Sequence, residues 1–103
     1  MASVINRIVC EASSTQSGVD FLRRLPLTEV FGVKIYSEKG DSPAVTVDFF
    51  FKNGYLVTVK HAFGTGYQGE GPTGLYKILQ EIGFDDDVAV KVFSKRRPEK
   101  LTR

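Results

Sequence analysis

Residues 45–63 read VTVDFFFKNGYLVTVKHAF, and how this stretch turns back on itself decides the fold. Apolar and polar residues alternate on both sides of Asn53-Gly54, the pattern of two antiparallel strands joined by a tight turn. A two-residue Asn53-Gly54 turn would place Phe49 on one face with Thr58, and Val47 with Lys60, mixing core with solvent. A three-residue turn with Lys52 and Asn53 near αR and Gly54 in αL pairs Phe51 with Tyr55, Phe49 with Val57 and Val47 with Val59. One face is then apolar throughout, and Thr46, Asp48, Thr58 and Lys60 share the other. The second register is the expected one, because a slip of one residue would expose the whole core face. It sets Phe50 opposite Leu56 on the outer face, where an aromatic–aliphatic pair is either covered by an end of the chain or part of a contact surface. His61 is expected on the apolar face.

Working outward, Phe31, Val33 and Ile35 alternate with Gly32, Lys34 and Tyr36 as a preceding strand, and the polar stretch Ser37 to Pro43 turns the chain. After the hairpin, Leu75, Ile78, Leu79 and Ile82 fall on one stripe between Pro72 and Gly83, which predicts a helix over 72–82. Phe84 stands where a Schellman cap folds an apolar residue back onto Leu79. Val88, Val90 and Val92 alternate with Ala89 and Lys91 and read as a last strand over 87–93. Nearer the start, Val4, Ile5, Ile8, Val9 and Ala12 have helical spacing, with Ser3 placed to cap, but are rich in β-branched residues, so 3–12 suits a helix or an edge strand. Ser13 to Gly18 reads as a connector. Ser17 and Asp20 resemble a loose capping box ahead of a short helix through Phe21, Leu22 and Leu25.

These elements predict an α+β fold: an antiparallel sheet of four to five strands (29–37, 44–51, 55–63, 87–93), the main helix 72–82 on one face, and a short N-terminal helix as an addition. At 103 residues the chain has room for a single core, taken as residues 1–94, followed by a basic tail over 95–103. The composition, 42% hydrophobic and 25% charged, is that of a folded domain and excludes a disordered chain. No apolar run is long enough for a membrane-spanning helix, so no membrane partner is expected. One cysteine, Cys10, forbids an internal disulfide and favours a reducing, cytoplasmic setting.

Half of the ten glycines lie in Gly64-Thr-Gly-Tyr-Gln-Gly-Glu-Gly-Pro-Thr-Gly74, between hairpin and helix. Glycines leave backbone N–H groups open to a ligand or another chain, so Gly64, Thr65, Gly66, Tyr67, Gln68, Gly69, Gly71 and Thr73, with Phe50 and Leu56, are the candidate contact residues. The function expected is a small non-catalytic binding module whose loop and hairpin surface engage a macromolecule, a protein above all. A competing reading takes Gly64 to Gly69 as G-x-G-x-x-G and places a phosphate-bearing small molecule or nucleotide before the helix, with chemistry at His61. Against it, the helix starts three residues beyond Gly69 and no Walker ending follows. Nucleic acid is expected only through the tail, where Lys95, Arg96, Arg97, Lys100 and Arg103 face a single Glu99. One histidine and one distant cysteine make no ligand set, and Asp85 to Asp87 lack the spacing of a calcium loop, so neither metal nor cofactor is expected.

Overall fold

The computed structural model describes residues 6–37, 43–94 and 99–102, which form a small single α+β domain. Its five strands are β1 (Asn6–Glu11), β2 (Val30–Tyr36), β3 (Ala44–Phe51), β4 (Tyr55–Gly64) and β5 (Glu99–Thr102). They lie side by side in the order β1-β4-β3-β2-β5. Three helices accompany them: α1 (Thr15–Arg23), α2 (Glu70–Ile82) and the four-residue α3 (Asp86–Ala89).

The hairpin register is the one that keeps the apolar face whole. Phe49 pairs with Val57, Val47 with Val59 and Phe50 with Leu56. Gly54 takes the positive φ of 94° that the turn requires, and its N–H donates to the carbonyl of Phe51 at 3.0 Å. Val33, Val47, Phe49 and Val59 are fully buried in a core completed by Val19 and Leu22 of α1, Leu75, Ile78, Leu79 and Ile82 of α2, and Ala89 and Val92 beyond it. α2 begins at Glu70, two residues earlier than the expected Pro72 and directly after its N-cap Gly69, so the three-residue interval expected between Gly69 and the helix is absent; the N–H that Pro72 lacks costs nothing in the first turn. It ends at Gly83, with φ 117°, where Phe84 N–H returns to the carbonyl of Leu79 at 3.1 Å, the cap that Gly83-Phe84 foretells.

Two expectations need correction, and one alternative left open by the sequence is decided. The sheet is mixed, because β1 runs parallel to β4 while every other pair is antiparallel. Residues 6–11 are a strand, so β-branched stiffness beats helical spacing once β4 offers a ladder; Ser3, Val4 and Ile5 lie outside the described residues. The stretch 87–93 is helical, α3 followed by a 3-10 turn over Val90–Phe93. Its buried positions are Ala89 and Val92 while Val90 is exposed, a helical interval that the alternating valines disguise, and Asp86 and Asp87 favour the N-terminal end of the helix dipole.

The fifth strand comes instead from Glu99–Thr102, in the basic C-terminal stretch, antiparallel to β2 with Lys100 opposite Lys34. Lys95, Arg96, Arg97 and Arg103 lie outside the described residues, as do 38–42 in the turn before β3. α1 starts earlier than the Ser17 signal suggests. Ser14 is its N-cap, its hydroxyl accepting from the N–H of Ser17, while Ser17 Oγ accepts from the N–H of Ser14. Gly74 lets the helices meet, since a Cβ there would stand 2.5 Å from Thr15 Cγ2. Across the helix surface Arg23 and Glu81 form an exposed ion pair at 2.8 Å, and Glu81 raises the Arg23 pKa.

Candidate functional site

The ten candidate residues separate into two places. Phe50 and Leu56 lie by the hairpin turn, whereas Gly64 ends β4 eight residues further along the same strand, roughly 25 Å away at the rise of an extended chain. One compact ligand cannot touch both.

The loop is built around its own tyrosine. A Cβ on Gly64 would meet Tyr67 Oη at 2.6 Å, one on Gly69 would meet Tyr67 Cε2 at 2.6 Å, and one on Gly71 would meet Tyr67 Oη at 2.8 Å. The three glycines are thus the wall against which the ring lies. Two amides that would serve a phosphate are already used: Thr65 N–H donates to Pro43 O at 2.9 Å and Gly66 N–H to Val92 O at 2.8 Å. Thr73 donates its N–H and its hydroxyl to Gly69 O, at 3.1 and 2.7 Å. Gly64, Thr65 and Gly71 are buried, Gly66, Gly69 and Thr73 half-buried, and Tyr67 and Gln68 exposed. Thr65 Oγ1 is buried without a hydrogen-bond partner. Beside the loop, a shallow groove of about 280 Å³ runs between α1 and α2, with Thr15, Val19, Thr73 and Gly74 among its lining and Gln16, Arg23, Glu70 and Lys77 beside them.

His61 departs from its expected place on the apolar face. Lys60, His61 and Ala62 together stand opposite Thr46, because the register shifts between Val45 and Val47, and His61 takes φ 67° in this bulge. The imidazole is exposed, with Nε2 3.7 Å from Glu11 Oε1. Burial pushes the Cys10 thiol pKa up, away from the thiolate a nucleophile needs. Among the described residues, no three His, Cys, Asp or Glu side chains are grouped to hold a metal ion, and no helix is long and apolar enough to cross a membrane.

The hairpin surface belongs to a larger open face. Alternation along the strands puts Arg7, Val9 and Glu11 of β1, Leu56, Thr58 and Lys60 of β4, Thr46, Asp48 and Phe50 of β3, Lys34 and Tyr36 of β2, and Lys100 of β5 on the side away from the core. Its centre is polar and ordered. Thr58 Oγ1 donates to Asp48 Oδ1 at 2.7 Å, Tyr36 Oη donates to the same oxygen at 3.4 Å, and Arg7 Nε donates to Thr58 Oγ1 at 3.3 Å. Lys34 Nζ lies 5.3 Å from the centre of the Tyr36 ring. Towards the hairpin turn the face becomes apolar: Phe31, exposed in the irregularity between Val30 and Gly32, stands 6.4 Å from Phe50, which pairs with Leu56.

Charge divides between the two sides of the molecule. The open face sets Arg7, Lys34, Lys60 and Lys100 against Glu11 and Asp48, whereas the helices and their caps carry Asp20, Glu70, Glu81 and Asp85 to Asp87 against Arg23, Arg24, Lys77 and Lys91. On the acidic side Tyr76 Oη donates to Asp86, a bond that raises the phenol pKa above its ordinary value. Arg7 and Lys34 escape a search for loop motifs because they lie far apart in sequence; the period-2 pairing of β2 with β3 is the signal that joins Lys34 to the face of Phe50, whereas Phe31, expected beside Val33 and Ile35, is turned to the open side by the irregularity between Val30 and Gly32, which leaves no mark in the alternation.

No protein-family model matches the chain, and no significant match is found among the curated proteins or the solved structures.

Proposed function

We propose that the protein is a small non-catalytic binding module that engages a protein partner through the open face of its sheet. The observation that carries this reading is the apolar strip Phe31, Phe50 and Leu56, which crosses β2, β3 and β4 on a face that none of the three helices occupies. An apolar strip bordered on its inner side by Arg7 and Lys34, with Lys100 beyond, combines the apolar and polar parts of a protein interface, and the cationic border selects a partner with acidic residues at its own border. The glycine-rich loop then has a supporting part, with Tyr67 seated among its glycines.

The test is photo-crosslinking of the full chain with a photoreactive phenylalanine analogue at position 31 or 50, compared with position 67 and with position 76 on the helical side. Positions 31 and 50 should yield one discrete, nuclease-resistant protein adduct that Leu56→Asp abolishes, while positions 67 and 76 do not. A nuclease-sensitive adduct would make nucleic acid the partner, and a discrete adduct at position 67 alone would return the contact to the loop; either overturns the reading.

A further inference from the structure

The outer edge of β1 is one border of the sheet, and its sequence is complementary to itself. Ala12 N–H donates to Lys60 O at 2.9 Å, and the ladder pairs Ile8 with Val57 and Cys10 with Val59. In a parallel ladder alternate residues of a strand bond to its neighbour, so Ile8, Cys10 and Ala12 direct their backbone groups at β4. Arg7, Val9 and Glu11 therefore direct N–H and C=O outward, where no strand among the described residues meets them. An unpaired edge of this kind is a template for another strand.

Side chains sharpen the template. Val9 is 49% exposed and Ile8 39%, so the edge offers apolar surface on both sides of the sheet. Arg7 and Glu11 stand two residues before and two after Val9, all three on the open face. We propose that two copies of this chain pair antiparallel through β1, about a two-fold axis at Val9. Outward-directed residues must meet outward-directed residues, which restricts the register to steps of two. With Val9 opposite Val9, each Arg7 meets the Glu11 of the other copy and Ile8 meets Cys10; a step of two either way puts one charge opposite Val9 and breaks both ion pairs. The symmetric interface satisfies the edge and joins the two sheets into one of ten strands.

Sedimentation equilibrium of the full chain over a wide concentration range tests the pairing, with no ligand required, so it can fail independently of the function proposed above. The expected result is a reversible dimer. Glu11→Arg sets arginine against arginine twice and should weaken it about tenfold, as should Arg7→Glu, each reversing two cross-strand pairs. Mixing these two variants should restore wild-type affinity in a heterodimer, because each glutamate of one then faces an arginine of the other. Val9→Pro removes the outward N–H at the axis while sparing the β4 ladder, and should give a monomer with unchanged circular dichroism. A wild-type chain that stays monomeric throughout, or a dimer indifferent to both charge reversals, would overturn the proposal.

Discussion

Phe49 and Phe50 are neighbours in β3 and lie in two different kinds of environment. Phe49 is fully buried between the sheet and the helices, whereas Phe50 is half-buried on a face crossed by Asp48, Thr58 and the long side chains around them. Both faces exclude water from their centres: Thr58 is 0% exposed and Asp48 only 8%. The covered face does so by apolar volume, since Val33, Val47, Phe49 and Val59 interlock with α1 and α2. On the open face the burial is polar, and its affordable form is hydrogen bonding, with Thr58, Tyr36 and Arg7 linked to one carboxylate directly or through the threonine. A core position tolerates loss of volume badly; a buried polar position tolerates loss of a partner badly.

The largest expected effect is on the covered side. Phe49→Ala removes a fully buried ring and leaves a cavity that neighbours from both layers cannot fill, so denaturant unfolding should show a loss of about 3–5 kcal/mol. A loss below about 1 kcal/mol would mean that the two faces are equivalent and that the core is not where the sheet meets the helices.

This contrast is visible in the sequence because period-2 alternation around Asn53-Gly54 allows one register with an unbroken apolar face, and Phe49 with Val57 follows from it. The stripe of α2 and the Gly83-Phe84 cap are legible for the same reason, as local geometry and burial agree. What was not legible depended on partners distant in the chain. Residues 6–11 become a strand through pairing with β4, and Val88, Val90 and Val92 lose their apparent equivalence once α3 forms. The glycine-rich loop hides its packing in another way: Gly64, Gly69 and Gly71 make room for Tyr67, and composition cannot distinguish glycines open to a ligand from glycines filled by a side chain. For His61, the bulge that turns it outward leaves no mark in the alternation of β4.

A smaller effect would sharpen the polar half of the comparison. Asp48→Ala deprives the fully buried Thr58 hydroxyl of its acceptor and should cost about 1–3 kcal/mol in the same unfolding measurement. Thr58→Val alone takes from the carboxylate its 2.7 Å donor and leaves it the longer bond from Tyr36. Combined as Asp48→Ala with Thr58→Val, the two changes should cost less than the sum of their single effects, because neither member of the bond is then left buried without the other. Strict additivity would show that the hydrogen bond contributes nothing and that the open face is held by the strands alone.

The smallest effect on stability belongs to Phe50→Ala, and its smallness is informative. Phe50 gains from the tilted ring of Phe31 and from Leu56 across the ladder, contacts worth about 0.2–1 kcal/mol for a cross-strand pair. The variant should therefore unfold within about 1 kcal/mol of the wild type, while the same substitution at Phe49 is several times costlier. A residue that the fold scarcely needs but that is large, aromatic and half open has its weight elsewhere, which is why the photo-crosslinking and this unfolding measurement bear on one question. If Phe50→Ala matched Phe49→Ala in cost, Phe50 would be a second core residue, and the strip from Phe31 to Leu56 would lose its standing as a surface held ready for a partner.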